Sequence, residues 1–327
     1  DIEIIYKDSN NIFKRKYNYK INVVDTTAPI LTIPKNIYID IESENKDILS
    51  KITFAGDNET RKLNYSIEGT YDLNTIGNYD IKVIAKDNSN NKVEKDTTLH
   101  IYKNDSTQTD SSSNNQEENR GIELSYFINN YKDNNEIGVD LSSYQTVDDF
   151  NKLKEAGIEF VMLRLGWGPN SDLTFNTDKN FEDFYTRAKE ANLKVGVYYF
   201  SYATTLDEVD LEVNYVLDSL KDKDIDFYVS YDWENWRLFK DCNMNFSDLN
   251  KMAKKFMDRL KEKGYQVMNY GSKTYLELIW DLDEYDTWLA QYNDEVTYSK
   301  KFKIWQISEQ GIVDGINGLV DIDILIK

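Results

Sequence analysis

Asp232 and Glu234 stand two residues apart at the end of the run Asp226-Phe-Tyr-Val-Ser-Tyr-Asp-Trp-Glu-Asn. The run begins as an apolar strand, and residues two apart on a strand share a face, so both carboxyls are expected to point the same way from its carboxyl end. Two acids on one face, beside Trp233 and Trp236, suggest sugar chemistry. Read alone, the same five residues would serve equally as a solvated acidic loop in a chain this negative.

The elements that must position this pair follow from the rest of the chain. With 327 residues the chain is long enough for two domains and for a packed core. Its 58 acidic against 39 basic side chains give a formal net charge of -19. Nucleic acid is therefore not an expected partner, since phosphate binding depends on Lys and Arg. The single cysteine, Cys242, excludes an intrachain disulfide, and the single histidine, His100, excludes a His-rich metal site. No apolar run is long enough to span a membrane. The first residue is Asp1, so the chain is expected to be a fragment whose targeting segment is missing.

Residues 1 to about 103 read as short strands: 2–6, 17–24, 37–41, 64–67, 79–85 and 97–102 alternate polar with apolar or β-branched residues between Asn, Asp, Gly and Ser clusters. This is the pattern of an antiparallel sandwich. Lys7-Asp-Ser-Asn-Asn and the strand after it recur as Lys86-Asp-Asn-Ser-Asn-Asn and its strand. The period near eighty residues makes 1–25 the end of a preceding repeat and 26–103 a complete one; chance likeness between two Asn-rich turns is the alternative. Residues 104–120 hold no apolar side chain and read as a flexible linker.

From 121 to 327 strand-like and helix-like segments alternate. Strands are expected at 137–141, 160–165, 194–200, 227–232, 266–270, 287–292, 302–307 and 319–324, with helices at 147–156, 179–191, 206–220 and 246–263. Eight strands with helices between the first five make an irregular, TIM-like β/α barrel. The last three strands follow one another too closely for full crossover helices. In such a barrel chemistry sits at the carboxyl ends of the strands. Asp140 ends the first strand, Asp232 and Glu234 end the fourth, and Asp321 lies late in the eighth. Strands one and eight are neighbours on closure, so four carboxylates are expected in one mouth.

Val24-Asp-Thr-Thr-Ala-Pro-Ile, Gly69-Thr-Tyr with the strand that follows, and Ala85-Lys-Asp-Asn-Ser-Asn-Asn-Lys resemble the bacterial immunoglobulin-like repeat of surface proteins. That resemblance implies an immunoglobulin-like β-sandwich acting as a spacer or wall-associated module. Gly138-Val-Asp-Leu-Ser-Ser-Tyr-Gln, Gly196-Val-Tyr-Tyr-Phe, Tyr231-Asp-Trp-Glu, Trp288-Leu-Ala-Gln-Tyr, Trp305-Gln and Gly318-Leu-Val-Asp-Ile-Asp resemble, in order, the glycoside hydrolase family 25 lysozymes, the Chalaropsis type. Two departures stand out: Asp323 replaces the usual Asn, and Tyr198-Tyr199 a frequent Tyr-His.

This second resemblance implies cleavage of the β-1,4 bond between N-acetylmuramic acid and N-acetylglucosamine in peptidoglycan. Glu234 would be the general acid and Asp232 its ionised partner, with Asp140 and Asp321 positioning substrate and holding the protonation states of the others. The attacking group could be water, an enzyme carboxylate or the substrate's acetamido group, and the Asp-x-Glu arrangement suits the last. All six tryptophans, Trp167, Trp233, Trp236, Trp280, Trp288 and Trp305, follow the linker, which fits ring stacking on sugars. Trp288 and Tyr292 are the expected stacking residues, and Tyr199, Arg164 and Gln291 the expected hydrogen-bonding ones. No cofactor or metal is implied, and Cys242 is expected to be an idle thiol. The expected setting is secreted, extracellular or cell-wall, and the expected state monomeric. The competing readings are a wall-binding or adhesive protein with a non-catalytic barrel, and a chitin-type hydrolase, of whose Asp-x-x-Asp-x-Asp-x-Glu motif only the end is present.

Overall fold

The computed structural model describes residues 2–7, 14–103 and 121–327. The expected linker lies outside the described residues. At the N-terminus Ile2–Lys7 pairs antiparallel with Lys14–Tyr19. The strand expected to continue to Val24 stops at Tyr19: Ile21, Val23 and Val24 are exposed and meet no neighbouring strand, so their β propensity finds nothing to pack on.

Residues 30–102 form two sheets. Ile30–Thr32 pairs with Phe54–Gly56, and Asn36–Asp40, Lys92–Tyr102, Gly77–Lys86 and Asn64–Glu68 lie in that order in a four-stranded sheet. Leu31 and Ala55 of the small sheet bury against Val83 and Ala85 of the large one. The two three-residue strands were missed in the sequence because alternation cannot be read over three positions. The sheets are also not wholly antiparallel, since Asn36–Asp40 runs parallel to Lys92–Tyr102.

The rest of the described chain is a closed barrel of eight strands: Asn135–Leu141, Phe160–Gly168, Lys194–Ser201, Tyr228–Asp232, Gln266–Ser272, Asp286–Ala290, Ile304–Ile312 and Val320–Ile326. The first seven run parallel in sequence order, and the eighth closes the ring antiparallel to both the first and the seventh. Helices Phe150–Ala156, Phe181–Glu190, Leu206–Leu220 and Phe246–Lys261 cover the outside as expected. The last two start at capping boxes, Thr205 with Glu208 and Asn245 with Asp248. Helices Leu124–Tyr131 and Lys273–Leu278 and the 3-10 turn Trp236–Asp241 are additions to the expected set. Among the described residues no helix is long and apolar enough to cross a membrane.

Side-chain parity organises the barrel. Phe160, Met162, Tyr228, Met268, Tyr270, Trp288, Ala290 and Ile304 form one buried interior cluster, and every one has an even number. Odd-numbered neighbours such as Val161, Val195, Tyr199, Val229 and Tyr231 belong to the outer layer beneath the helices. Gly138 and Gly196 lie in the inner set, where a Cβ would run into the Phe160 ring and the Met162 sulfur.

The N-terminal sheets dock on the barrel through Phe54. Its ring sits 5.9 Å from that of Trp236, 5.8 Å from Phe239, 6.1 Å from Phe246 and 5.6 Å from Tyr275. A side chain at the adjacent Gly56 would strike the Phe239 and Phe246 rings, so this approach requires glycine. The Arg61 guanidinium also pairs with Asp248 at 2.7 Å, but that pair is exposed and contributes little beside the ring cluster. Phe54→Ala is expected to cost roughly 3–5 kcal/mol, and urea unfolding followed by tryptophan fluorescence should read the loss at the Trp236 cluster.

Candidate active site

The inner residues at one mouth, even-numbered on the first seven strands and odd-numbered on the antiparallel eighth, are mostly polar. Asp140, Arg164, Tyr198, Phe200, Asp232, Glu234, Tyr270, Trp288, Gln306 and Asp321 line a cavity of about 190 Å³, together with Ser142, Tyr144 and Gln145 from the loop after strand one. All four carboxylates expected in one mouth are there. Asp321 arrives by a different route from the one expected: it is the second residue of its strand, not a late one. Because that strand is antiparallel, its start reaches the end where the parallel strands finish, and Asp321 pairs directly opposite Asp140.

The acids form two connected groups. In the first, Asp140 Oδ2 accepts from Gln306 Nε2 at 2.7 Å, and Gln306 Oε1 accepts from the hydroxyls of Tyr270 and Tyr292, each at 2.9 Å. Asp323, wholly buried one inward position below Asp321, accepts from Trp288 Nε1 at 2.8 Å through Oδ1. Burial, followed by the charges of Asp321 and Asp323, pushes the Asp140 carboxyl well above the usual range. Burial does the same to Asp323, and it raises Asp321 to about 6.

The second group is the strand-four pair. Asp232 is buried, and its Oδ1 has no hydrogen-bond partner among the described residues. Burial and then the Glu234 charge raise it well above the ordinary carboxylate range, and Arg164 pulls it back. Glu234 lies beyond the strand end at the rim, where solvent reaches it while protein walls its other sides. Burial and then Asp321 raise its pKa to about 7. Arg164 is itself held by Asp178, with Nε to Oδ2 at 2.8 Å, by Ser143 Oγ at 2.8 Å from Nη2, and between the rings of Tyr144 and Trp167.

The expected binding residues divide. Arg164 and Trp288 line the cavity, but Trp288 is packed by Tyr198 and Tyr270 and tethered to Asp323, so it builds the floor and offers no open ring face. Tyr199 is placed outside the cavity. Its odd position turns it outward, where it stacks on Phe256 of a covering helix, and the even Tyr198 takes the place in the mouth. Gln291 also lies outside: strand six ends at Ala290, and the Gln291 side chain instead bonds Glu295 O and Thr297. Tyr292 is half exposed beside the mouth and enters the network only through its hydroxyl.

Five of the six tryptophans are buried structural residues, Trp233 through its bond to Ala203 O and Trp236 through stacking on Tyr275. Trp167 and the 85% exposed Tyr144 are the rings that flank the mouth. Tyr198, Phe200, Tyr270, Gln306, Ser142, Tyr144 and Gln145 were missed as site residues. Alternation within a strand pairs Tyr198 with Phe200 on one face, but which face turns inward depends on the register of the closed ring, so no local signal would have found Tyr198, Tyr270 and Gln306. The Cys242 thiol is raised by burial and donates to Leu238 O, remote from the acids.

Asp323→Asn keeps the acceptor for Trp288 and removes a buried like charge. A carboxyl raised by folding favours the folded state at acid pH, and that advantage is lost as pH rises through its folded value. The variant should therefore be more stable than the parent at pH 7 by on the order of 1–2 kcal/mol, with the difference vanishing toward pH 3; thermal melts across that range measure it.

Comparison with known proteins bears on the same mouth. A family model described as glycosyl hydrolases family 25 matches residues 139–316, which include Asp140, Arg164, Asp232, Glu234 and Gln306. Asp321 and Asp323 fall just beyond the matched span. An autolytic lysozyme of Clostridium acetobutylicum is 29% identical over 192 residues, 57% of this chain and 54% of that protein, so the chain spans about half the length of the curated relative it matches. Two solved structures share the fold: the modular autolysin LytC of Streptococcus pneumoniae, with TM-score 0.52 at 21% identity over 58% of this chain and 46% of that one, and the spore cortex lytic enzyme SleM of Clostridium perfringens, with TM-score 0.51 at 19% identity over 59% and 68%. With more than half of its residues in the matched span, and with strand ends one to seven of the mouth among them, this chain belongs to the glycosyl hydrolases family 25.

Proposed function

We propose that the chain is a peptidoglycan muramidase that hydrolyses the β-1,4 bond between N-acetylmuramic acid and N-acetylglucosamine, with Glu234 as the general acid. The observation that carries this reading is the unequal setting of the strand-four pair. Glu234 stands at the rim with its carboxyl raised to about 7, while Asp232 lies deeper, where burial and the Glu234 charge raise its carboxyl too and Arg164, the one cation of the mouth, opposes that rise. A glycosidase needs that division, one carboxyl to protonate the leaving oxygen and one anion to face the oxocarbenium-like transition state. The name of the Clostridium acetobutylicum relative, an autolytic lysozyme, agrees with the substrate.

In this reading Asp232 orients the acetamido group of the sugar, whose oxygen attacks the anomeric carbon as Glu234 protonates the departing oxygen. Glu234 then recovers its proton from the water that opens the cyclic intermediate. Asp140 and Asp321 hydrogen-bond the sugar and tune the pair, and Arg164, Tyr198 and Tyr270 complete the walls. Residues 26–103 act as an immunoglobulin-like sandwich that places a secreted, monomeric barrel (121–327) on the wall, with 1–25 the end of a preceding repeat and 104–120 a linker. Burial of Asp140, Asp232 and Asp323 with a single cation, Arg164, in the mouth favours turnover over a purely adhesive barrel, because simple binding gives no reason to keep such costly groups.

Glu234→Gln should lower release of reducing ends from purified cell walls by about 10²–10⁴-fold while leaving the circular dichroism spectrum unchanged; undiminished release overturns the assignment. The raised Glu234 carboxyl must be protonated to act, so kcat is expected to fall on the alkaline side around pH 7. A pH–rate profile with soluble glycan fragments measures that limb, and mass spectrometry of the products should show a reducing muramic acid end.

A further inference from the structure

Three aspartates in the N-terminal unit converge without a role in the barrel chemistry. Asp25 belongs to the Asp-x-x-x-Pro stretch, Asp87 to the Ala-Lys-Asp turn, and Asp57 follows the strand Phe54–Gly56 that docks on the barrel. One carboxylate oxygen from each lies within 4.8 Å of the other two. Asp57 and Asp87 are 1% and 2% exposed.

The hydrogen bonds leave two of these oxygens undonated. Asp57 Oδ1 accepts from the backbone N–H of Glu59 and Thr60 at 3.0 and 2.7 Å, and Asp25 Oδ1 from that of Thr27 at 3.0 Å. Asp57 Oδ2 and Asp25 Oδ2 are buried with no hydrogen-bond partner among the described residues. Asp87 is held in place by Asn91, through its backbone N–H and its Nδ2, both at 2.8 Å. Asn91 Nδ2 also bonds Asp25 O at 3.1 Å, which ties the first aspartate to the third. A buried carboxylate oxygen without a donor is costly, and three like charges at this spacing repel one another.

We propose that Asp25, Asp57 and Asp87 bind a hard divalent cation, calcium by class, which fixes the turn by which the N-terminal unit docks on the barrel. The set is all oxygen, with no His or Cys, as calcium and magnesium prefer. Oxygens sharing an ion at 2.3–2.6 Å lie at most about 5 Å apart, so the observed span needs no rearrangement. Three carboxylates on separate segments, leaving room for water or carbonyl ligands, suit the irregular shell of calcium better than the strict octahedron of magnesium. The same turn reaches the barrel directly: Asp57 O and Asn58 O accept from the backbone N–H of Phe246 and Ser247 at 2.9 and 3.3 Å, and Glu59 O from Asn245 Nδ2 at 2.8 Å. Ordering Asp57 therefore orders the contact made at the N-terminus of helix Phe246–Lys261.

The test is calorimetric titration of the chelator-treated full chain with calcium chloride and, separately, magnesium chloride. One saturable calcium site per chain is expected, with a dissociation constant of about 10⁻³ M or tighter and a weaker response to magnesium. Asp57→Asn keeps the Oδ1 acceptor for Glu59 and Thr60, and should weaken calcium binding at least about tenfold while matching the parent's melting temperature in chelator. Hydrogen exchange at the Phe246 and Ser247 amides should slow on adding calcium to the parent and stay unchanged in the variant. Absence of a saturable calcium heat in the parent, unaltered affinity in Asp57→Asn, or exchange at those two amides that ignores calcium each overturns the proposal; equal binding of magnesium overturns the calcium assignment.

Discussion

The antiparallel eighth strand, hydrogen-bonded between the first and the seventh, is the constraint on which the mouth depends. It closes the ring, so no edge is left unpaired, and its direction places its first residues at the chemical end. The pairing of Asp140 with Asp321 is a consequence of that register. A one-residue slip would send Asp321 and Asp323 to the outer face and bring Ile322 into the mouth.

Closure concentrates negative charge in a space that a barrel of this size fills with side chains. Asp140, Asp321 and Asp323 share it with Gln306 and Trp288 as donors, and no cation stands among the residues that line the cavity except Arg164. Each carboxyl is consequently raised, by burial first, with like charge adding to the rise and hydrogen bonds to Gln306 and Trp288 opposing it at Asp140 and Asp323. Arg164 stands on the strand-four side, where it acts on Asp232. The one guanidinium in the mouth thus moderates the rise at Asp232, and it is itself oriented by Asp178.

Behind the same strand-four loop lies the contact with the N-terminal sheets. Trp236, two residues from Glu234, packs edge-on to Phe54 and stacks on Tyr275, so the loop that carries Glu234 rests on an aromatic cluster to which both units contribute. The polar contacts of residues 57–59 with the start of helix Phe246–Lys261 flank that cluster. The N-terminal unit is therefore a physical support of the barrel face next to the site, in addition to any role as a spacer.

The sequence by itself determined the eight barrel strands, four covering helices and the placing of Asp140, Asp232 and Glu234 at strand ends, because hydrophobic period and the position of an acid at a strand end are local properties of the chain. Tertiary structure alone decided the direction of the eighth strand, since the pattern of Val320–Ile326 reads identically either way round. It also decided which of Tyr198 and Tyr199 faces the mouth: both follow an apolar run, and only the closed ring, with its even-numbered interior, tells inside from outside. Gln291 left the site because strand six ends one residue before it, and alternation stops where the ladder stops. The burial of five tryptophans was equally hidden, since an indole suits a core and a sugar face alike, and the choice rests on which neighbours the fold brings against its ring.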